Sequence, residues 1–309
     1  PLSIISMEFW YKIEELIGRK NSFFKSRYIK VTKNKKEVEK AHKRIFELEK
    51  IGYNHETWID KKELRNILPN VSTDCLGGIL VDGDGWAKPH EVVEGFAKKA
   101  TYHGATILEN TSVKCFNKKH NKWEVVTTTG RFYTNKIINC AGAWGGKIAE
   151  KLGDFFPIKA YAPMLAMTKP YPITLKAIVG ILGLKLSLKQ IESGQFLIGG
   201  GARAKASLIK NKSNLRFSGI KEMLNNAISV FPYLNDAIIE RSWSGIEGYM
   251  PDEMPVIGCG SDKSVIHCFG FSAHGFQLGP AVGEALADLA MNRQIKVNLS
   301  AFSPKRFEI

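Results

Sequence analysis

The chain has 309 residues, a length typical of one large domain or of two interleaved domains. Its 44% hydrophobic and 24% charged residues are ordinary for a globular protein and argue against a collagen-like or disordered chain. The formal net charge of +14 comes from 34 Lys and 10 Arg against 30 acidic residues. Because base recognition depends mainly on Arg, we interpret this charge as a Lys-rich solvated surface, with nucleic-acid binding as the less favoured alternative.

The elements predicted in chain order alternate between helices and strands. Helical spacing and capping signals predict helices over 6–17, after Asn34, after Asp60, between Pro89 near the first turn and Gly104 beyond the end, up to Leu152, over 217–231 and over 281–291. Strands are predicted over 27–32, 105–108, 112–116, 123–128, 132–140, 160–168, 185–189, 195–198 and 265–269. The DGDG stretch over 82–85 is predicted as a turn. No apolar run approaches the ~18 residues of a membrane helix, so we expect no transmembrane segment.

The loop after the last predicted strand, 270–280, carries three glycines, at positions 270, 275 and 279. Glycine has no Cβ atom, so the backbone can approach a flat or charged ligand at these positions. The helix that follows offers free N–H groups and a partial positive charge, which suits an anion. A tight connection between strand and helix with nothing bound explains the glycine spacing equally well.

A second glycine turn, NCAGAW over 139–144, follows the strand predicted over 132–140. It is not a P-loop, because no Lys-Ser or Lys-Thr pair follows, and it lacks the full GxGxxG fingerprint. The order strand, glycine turn, helix nevertheless brings backbone close to a ligand in many α/β proteins. Alone, this motif is a weak signal.

The segment LKLSLK over 184–189 alternates strictly between apolar and polar residues. As a strand it places Lys185, Ser187 and Lys189 on one face and leucines on the other. Such a polar face could meet a substrate carboxylate, although an ordinary half-exposed strand is the favoured alternative without further context.

Cysteine and histidine spacing exclude some functions. The five cysteines include no CxxC pair, which is typical of a reducing compartment and predicts a cytoplasmic protein. The seven histidines show neither HxH nor HExxH spacing, so no metal site is predicted.

Four motifs in this order, NCAGAW, LKLSLKQ, WSGIEGYMPDEMPVIG and HCFGFSAHGFQLGPAVGE, resemble the FAD-dependent amine and amino-acid oxidoreductases of the D-amino-acid oxidase superfamily. This group includes glycine oxidase, sarcosine oxidase and D-amino-acid dehydrogenases, and the sequence looks most like the flavin subunits of hydrogen cyanide synthase and of opine or D-hydroxyproline dehydrogenases. The resemblance covers nearly the whole chain. It implies an α/β fold in which an incomplete Rossmann-like FAD-binding domain (77–153 and 256–309) is interleaved with an antiparallel-sheet substrate domain (1–76 and 154–255).

The resemblance implies FAD as the cofactor and two groups of site residues. On the cofactor side, the matching positions are Val113, Ala141, Gly142, Ala143, Trp144, Gly270, Phe271, Ser272, Ala273, His274, Gly275 and Phe276. On the substrate side, they are Lys185, Ser187, Lys189, Glu247 and Tyr249. No acid–base catalyst is implied.

The sequence departs from the family pattern in two places. The strand, GxGxxG turn and helix that hold the ADP half of FAD have no counterpart, so we expect an N-terminally truncated fragment that alone binds FAD poorly or not at all. Glu247 stands where simple amino-acid oxidases carry an Arg for the substrate carboxylate. Because carboxylates repel each other, we hypothesise that Lys185 or Lys189 binds the substrate carboxylate, while Glu247 faces the amine or supports the loop.

The implied activity is oxidation of the C–N bond of an amino acid or secondary amine. A hydride equivalent passes from carbon to the flavin, and water hydrolyses the resulting imine. We expect a dehydrogenase that works with other subunits of a heteromeric complex, which could hold it at the inner membrane. The alternatives are a catalytically inactive, flavin-free protein of the same fold and a basic nucleic-acid-binding protein.

Overall fold

A computed structural model of the chain describes residues 2–307. The helices of this part are α1 (Leu2–Tyr11), α2 (Ile13–Ile17), α3 (Lys35–Lys50), α4 (Lys61–Ile67), α5 (Pro89–Tyr102), α6 (Gly145–Lys151), α7 (Phe217–Val230) and α8 (Gly275–Ala290). The strands are β1 (Phe23–Thr32), β2 (Thr57–Asp60), β3 (Gly77–Ala87), β4 (Val113–Lys119), β5 (Lys122–Thr127), β6 (Arg131–Thr134), β7 (Ile137–Asn139), β8 (Lys159–Pro170), β9 (Ala177–Ile181), β10 (Ser187–Gln190), β11 (Gln195–Gly199), β12 (Arg203–Ser207), β13 (Lys212–Ser213), β14 (Ile239–Ser244), β15 (Glu247–Tyr249), β16 (Val256–Cys259) and β17 (Val265–Phe269). The predicted mixed α/β class is confirmed.

The largest sheet contains eleven strands of the described part, in the order β13-β12-β8-β11-β10-β9-β1-β3-β2, with β14 and β15 also paired to β8. Its pairs are antiparallel except β1 with β9. Because side chains alternate along β1, Ile29 and Val31 point to one face of the sheet, where they pack into a core that side chains of α4 and α7 cover. Each such buried side chain contributes about 1.5–3 kcal/mol. Tyr28 and Lys30 therefore point from the opposite face of the sheet.

A second core forms around β16, β17 and α8. Strand β17 is buried along its whole length and lies between antiparallel β16 and parallel β7. Helix α1 joins this core because Ser6 Oγ and Trp10 Nε1 both donate to the carbonyl of Gln277, over 2.5 and 2.8 Å. Strands β4, β5 and β6 form a separate small sheet.

Two predicted N-caps are confirmed. Asn34 Oδ1 accepts a hydrogen bond from the amide of Lys36 at 2.9 Å at the start of α3. Asp60 accepts from the amides of Lys62 and Glu63, and Glu63 accepts from the amide of Asp60, which completes a capping box at α4. Local chemistry alone was sufficient to find these helix ends.

Two strand predictions were wrong. Residues 105–108 form no strand, and Ile107 and Leu108 stay about half exposed, because no strand of residues 2–307 pairs with this apolar segment. The strand predicted over 132–140 is broken after Thr134, whose Oγ1 donates to the carbonyl of Lys136 at 2.9 Å. The two halves, β6 and β7, pair with different sheets.

Several element boundaries also differ from the predictions. The helix predicted over 281–291 begins at Gly275, because packing against α1 outweighs the helix-breaking tendency of its glycines and of Pro280. The DGDG stretch is part of β3, opposite a register shift in β1, and forms no turn. The helix predicted over 6–17 is divided into α1 and α2, and β10 begins at Ser187 instead of Lys185. None of the described helices combines the length and apolar character that crossing a bilayer requires.

Candidate functional site

The connection between β17 and α8 is strained. Gly270, Ser272 and Ala273 all have positive φ angles, of 74°, 51° and 76°. Left-handed backbone is unusual for Ser and Ala and costs about 1–3 kcal/mol for each residue, so it persists where the surrounding structure enforces it. Ser272 is held by its hydroxyl, which accepts from the amide of Met250 at 3.1 Å and donates to the carbonyl of Gly270 at 3.2 Å. Strain of this kind is typical of ligand-binding loops.

An open cavity of about 650 Å³ lies beside this connection. Ala273 and His274 line one side, and Tyr28 and Lys30 of β1 line another. Its volume is in the range of small-molecule sites. Burial raises the pKa of Tyr28 to about 12, so this phenol stays protonated and can donate a hydrogen bond. The cavity volume itself shows that the space next to Ala273 is not filled by side chains.

The turn NCAGAW leads from β7 into α6 through a short 3₁₀ segment, Gly142–Trp144. Gly142 has φ +53°, and no other atom lies within 4 Å of the position that a Cβ would take. Gly145, in contrast, is pressed against Phe269, and a Cβ at this position would collide with the phenyl ring. The end of the turn at Gly145 is thus packed against Phe269 of β17, while the backbone at Gly142 stays accessible.

Three motifs that are far apart in the sequence meet at Gly248. The carbonyl of Gly248 accepts a hydrogen bond from the amide of Ser272 at 3.1 Å. A Cβ at Gly248 would lie 3.1 Å from the Cα of Ala143. The next residue, Tyr249, forms an isolated bridge with Phe271. The segments around Ala143, Gly248 and Phe271 therefore form one continuous backbone surface, which joins most of the predicted cofactor-side residues.

A buried hydrogen-bond network supports this surface from below. His267 is fully buried on β17, and its Nε2 lies 2.8 Å from Oδ2 of Asp154. Its Nδ1 lies 3.2 Å from Nδ2 of Asn139, which also donates to the carbonyl of Gly145 at 2.8 Å. Because the amide nitrogen of Asn139 is a donor, Nδ1 accepts and the proton of the neutral ring is on Nε2. The network links Asp154 to both ends of the NCAGAW turn.

The pKa values fit this assignment. Burial lowers the pKa of His267, and the hydrogen bond to Asp154 only partly opposes the effect. Burial would raise the pKa of Asp154, but the hydrogen bonds from His267 and Ser261 outweigh it, and the net pKa is lowered. A neutral imidazole therefore donates to an ionised carboxylate near neutral pH.

Glu247 and Tyr249 lie together on β15. The hydroxyl of Tyr249 donates to Oε2 of Glu247 at 3.2 Å, and burial followed by the charge of Glu247 raises the pKa of Tyr249 to about 12. The pair places a carboxylate beside the strained loop through the bridge from Tyr249 to Phe271. A carboxylate at this position suits a cationic group.

The predicted alternation in LKLSLK is seen at Leu186 and Leu188, which are buried, and at Lys185 and Ser187, which are exposed. It is wrong for Leu184, which is 57% exposed because it lies in the bend before β10. The ammonium group of Lys189 lies 4.7 Å from the centre of the Trp86 ring. Burial lowers the pKa of Lys189 to about 8, so part of this side chain is neutral at physiological pH. Lys189 is therefore a poor candidate for a fixed positive charge.

Val113 is separate from these groups, since it lies on β4 opposite Thr127 in the small sheet. Sequence reasoning also missed several residues around the site, namely Tyr28, Lys30, Asp154, Arg203 and His267. Alternation in RYIKVT and in ARAKA gave a signal for Tyr28, Lys30 and Arg203. No sequence pattern pointed to Asp154 and His267, because they lie 113 positions apart in the chain.

A flavin fits the described residues on two observations. The accessible backbone at Gly142 is a cradle that a side chain would obstruct. The start of α8 presents amides beside a cavity, where they suit the partly anionic edge of a reduced flavin. Residues 141–144 and 270–276 would hold the cofactor.

Comparisons with known proteins agree with this geometry. The model of the family described as FAD dependent oxidoreductase matches residues 1–289. The chain is 26% identical over 255 residues to the bifunctional protein ThiO/ThiG of Synechocystis sp., a match that covers 81% of this chain and 37% of that protein. It is 24% identical over 255 residues to hydrogen cyanide synthase subunit HcnC of Pseudomonas aeruginosa, with 81% of this chain and 60% of that protein covered. The chain thus spans less than two thirds of the length of both relatives.

Two solved structures share the fold. L-proline dehydrogenase from P. horikoshii superposes with a TM-score of 0.91 at 28% identity, over 99% of this chain and 82% of that chain. Glycine oxidase from Geobacillus kaustophilus superposes with a TM-score of 0.90 at 21% identity, over the same shares of the two chains. The family resemblance predicted from the sequence is confirmed.

Proposed function

Because the chain belongs to the family of FAD dependent oxidoreductases, we propose that it oxidises the C–N bond of an amino acid or secondary amine. The observation that carries this proposal is the meeting of three motifs at Gly248, beside a cavity that extends to the large sheet. A site for a planar cofactor needs close backbone approach on one side and, on the other, apolar side chains with a few polar groups that orient the substrate.

The residues divide into two roles. The turn at Gly142 and the start of α8 bind the cofactor through backbone groups, which leaves their position independent of side-chain motion. Glu247 and Tyr249 orient the amine, and Lys185 contributes positive charge for a carboxylate. Bound FAD would supply the acceptor for the hydride equivalent lost by the carbon that carries the amine, and water would hydrolyse the imine product.

An absorption spectrum tests the proposal. The protein, expressed from its complete gene, should be yellow, with flavin bands near roughly 375 and 450 nm. Under anaerobic conditions, glycine, sarcosine or L-proline should bleach the 450 nm band. A colourless protein that does not respond to added FAD would support the flavin-free alternative, and a yellow protein that no amine reduces would disprove the proposed reaction.

We further propose that the protein acts as a dehydrogenase subunit in the cytoplasm. HcnC is named as a subunit, and the solved structure at 28% identity is a dehydrogenase. All five cysteines are unpaired, as expected in a reducing compartment. If the proposal is correct, the substrate-reduced protein is reoxidised faster by a quinone than by air, and it copurifies with other polypeptides at native expression levels.

Replacing Lys185 with methionine should raise KM for an amino-acid substrate and leave kcat nearly unchanged. An exposed charge–charge contact contributes about 0.2–1 kcal/mol, which corresponds to a rise of a few fold. Steady-state kinetics of K185M measure this, and K176M is a suitable control because it removes another lysine next to the same sheet. Unchanged kinetics in K185M would remove Lys185 from the site.

A further inference from the structure

Arg203, on β12, is held in an unusual way. Its guanidinium carbon lies 4.0 Å from the centre of the Tyr249 ring and 5.5 Å from that of Tyr161. Its Nε is buried and has no hydrogen-bond partner among residues 2–307. A buried, charged donor without a partner costs more than 1–3 kcal/mol unless something else satisfies it. The side chain is therefore prepared for an acceptor.

Carboxylates of the protein do not fulfil this role. Oε1 of Glu253 lies 3.8 Å from Nη2 of Arg203, beyond hydrogen-bond distance, and the Glu253 side chain is 72% exposed. Exposed pairs of this kind contribute little to stability. The guanidinium N–H groups of Arg203 therefore donate no hydrogen bond to Glu253.

Arg203 opens on a cavity of about 440 Å³ that collects positive charge. Lys185 and Arg216 line the same cavity, against a single acidic residue, Glu222. The stem of Lys185 lies directly over Gly201, where a Cβ would be 2.6 Å from Cδ of the lysine. The missing side chain at Gly201 thus lets the stem of Lys185 pack against the backbone two residues before Arg203. Three cations around one small cavity favour an anionic ligand.

The cavity is connected to the candidate site through Tyr249. The Arg203 guanidinium stacks on the ring of Tyr249, and the Tyr249 hydroxyl donates a hydrogen bond to Glu247. The backbone of Tyr249 also forms a bridge with Phe271 of the strained loop. Cross-strand pairing places Glu247 beside Tyr161, and Lys205 pairs with Tyr161 from the other side. The acidic and basic residues therefore share one face of the sheet. An amino acid has the complementary pair of charges, an amine and a carboxylate.

We propose that Arg203, assisted by Lys185 and Arg216, binds the carboxylate of the substrate and so determines its specificity. This inference rests on the proposed function. A guanidinium forms two parallel hydrogen bonds with a carboxylate, and stacking on Tyr249 fixes the plane of the fork before the ligand arrives. Glu247 is then free to face the substrate amine.

Acetate titration tests anion binding without any flavin chemistry. In the ¹⁵N-labelled protein, sodium acetate should shift the Nε–H resonance of Arg203 in a saturable manner at constant ionic strength. Acetamide, which has the same shape and no charge, should leave the resonance in place. The resonance is assigned by its loss in R203Q. Equal shifts with acetate and acetamide, or a shift that never saturates, would overturn the proposal.

Kinetics of two arginine variants complete the test. R203Q should raise KM for the amino acid that reduces the flavin by about 10- to 100-fold with kcat little changed, because a hydrogen-bonded charge pair is lost. R241Q is the matched control, since Arg241 lies on β14, which like β12 pairs with β8, and its guanidinium carbon is 4.9 Å from the centre of the Trp243 ring. If R203Q is poorly folded, R203K preserves charge and loses the fork, and an intermediate KM is expected.

The outcomes separate the two proposals. An unchanged KM in a yellow, reducible R203Q protein overturns the role of Arg203 and leaves the proposed oxidation intact. Acetate binding at Arg203 in a protein that never binds flavin overturns the oxidation and leaves an anion site of another function.

Discussion

Replacing Gly248 with valine is expected to weaken FAD binding about tenfold or more and to lower the free energy of unfolding by about 1–3 kcal/mol. A Cβ at this position would lie 2.6 Å from Cδ1 of Ile158, 3.1 Å from Cα of Ala143 and 3.3 Å from the carbonyl oxygen of Gly142. Two of these neighbours are backbone atoms, which cannot rotate away as a side-chain tip can. The NCAGAW turn must therefore separate from β15. Titration of FAD fluorescence and urea unfolding measure the two effects.

The glycine in the interior of α8 provides the control. Apart from its chain neighbours and the backbone of its own helix, no atom lies within 4 Å of the position of a Cβ on Gly283. Gly283→Ala should therefore raise the free energy of unfolding by about 0.5–1 kcal/mol, because alanine is the better helix former, and should leave FAD binding unchanged. Wild-type FAD affinity in the Gly248 variant would contradict the view that contact between the three motifs forms the site.

The parts of this fold that the sequence predicted are those that local chemistry determines. Capping by Asn34 and Asp60 needs only side chains within three residues. Alternation likewise predicted the burial of Leu186 and Leu188, because the period of a strand is independent of its neighbours, but it failed at Leu184, which lies in the bend before β10 and is exposed. The glycines of the two turns were found for a related reason, since positive φ at Gly142 and Gly270 restricts the residue type.

What the sequence could not predict depends on pairing partners. Residues 105–108 have the composition of a strand, but strand formation requires a neighbour, and none of the described strands supplies one. The start of α8 was misplaced because contacts with Ser6 and Trp10, more than 260 residues away in sequence, stabilise helix where glycine and proline predict a loop. The charge of Arg203 was visible, but its stacking on Tyr249 was not.

The buried network of Asp154, His267 and Asn139 is expected to make the protein sensitive to acid. His267 has a lowered pKa in the folded state, so the unfolded chain, with a pKa near 6.5, binds a proton first as the pH falls. Stability therefore rises with pH between the folded pKa and about 6.5, and it is lost as the pH falls through this interval. Asp154, whose pKa is lowered from 3.8, contributes its own loss only at more acidic pH. The histidine effect is thus separable.

His267→Gln separates the charge from the hydrogen bonds, because glutamine can donate to Asp154 and accept from Asn139 but does not titrate near neutral pH. Between pH 8 and 5, urea unfolding should show the free energy of unfolding of the wild type falling relative to that of this variant, by at most about 1.4 kcal/mol per pH unit for one proton.

Asp154→Ala leaves the buried N–H of His267 without its acceptor and should lower the free energy of unfolding by about 1–3 kcal/mol at pH 7.5. It should also speed hydrogen exchange in residues 139–146, because His267, the partner of Asn139, is then no longer held by Asp154, while other sheets keep their protection. Parallel pH curves for wild type and His267→Gln would show that this imidazole does not titrate on unfolding, and unchanged exchange in the turn would show that the network does not hold it.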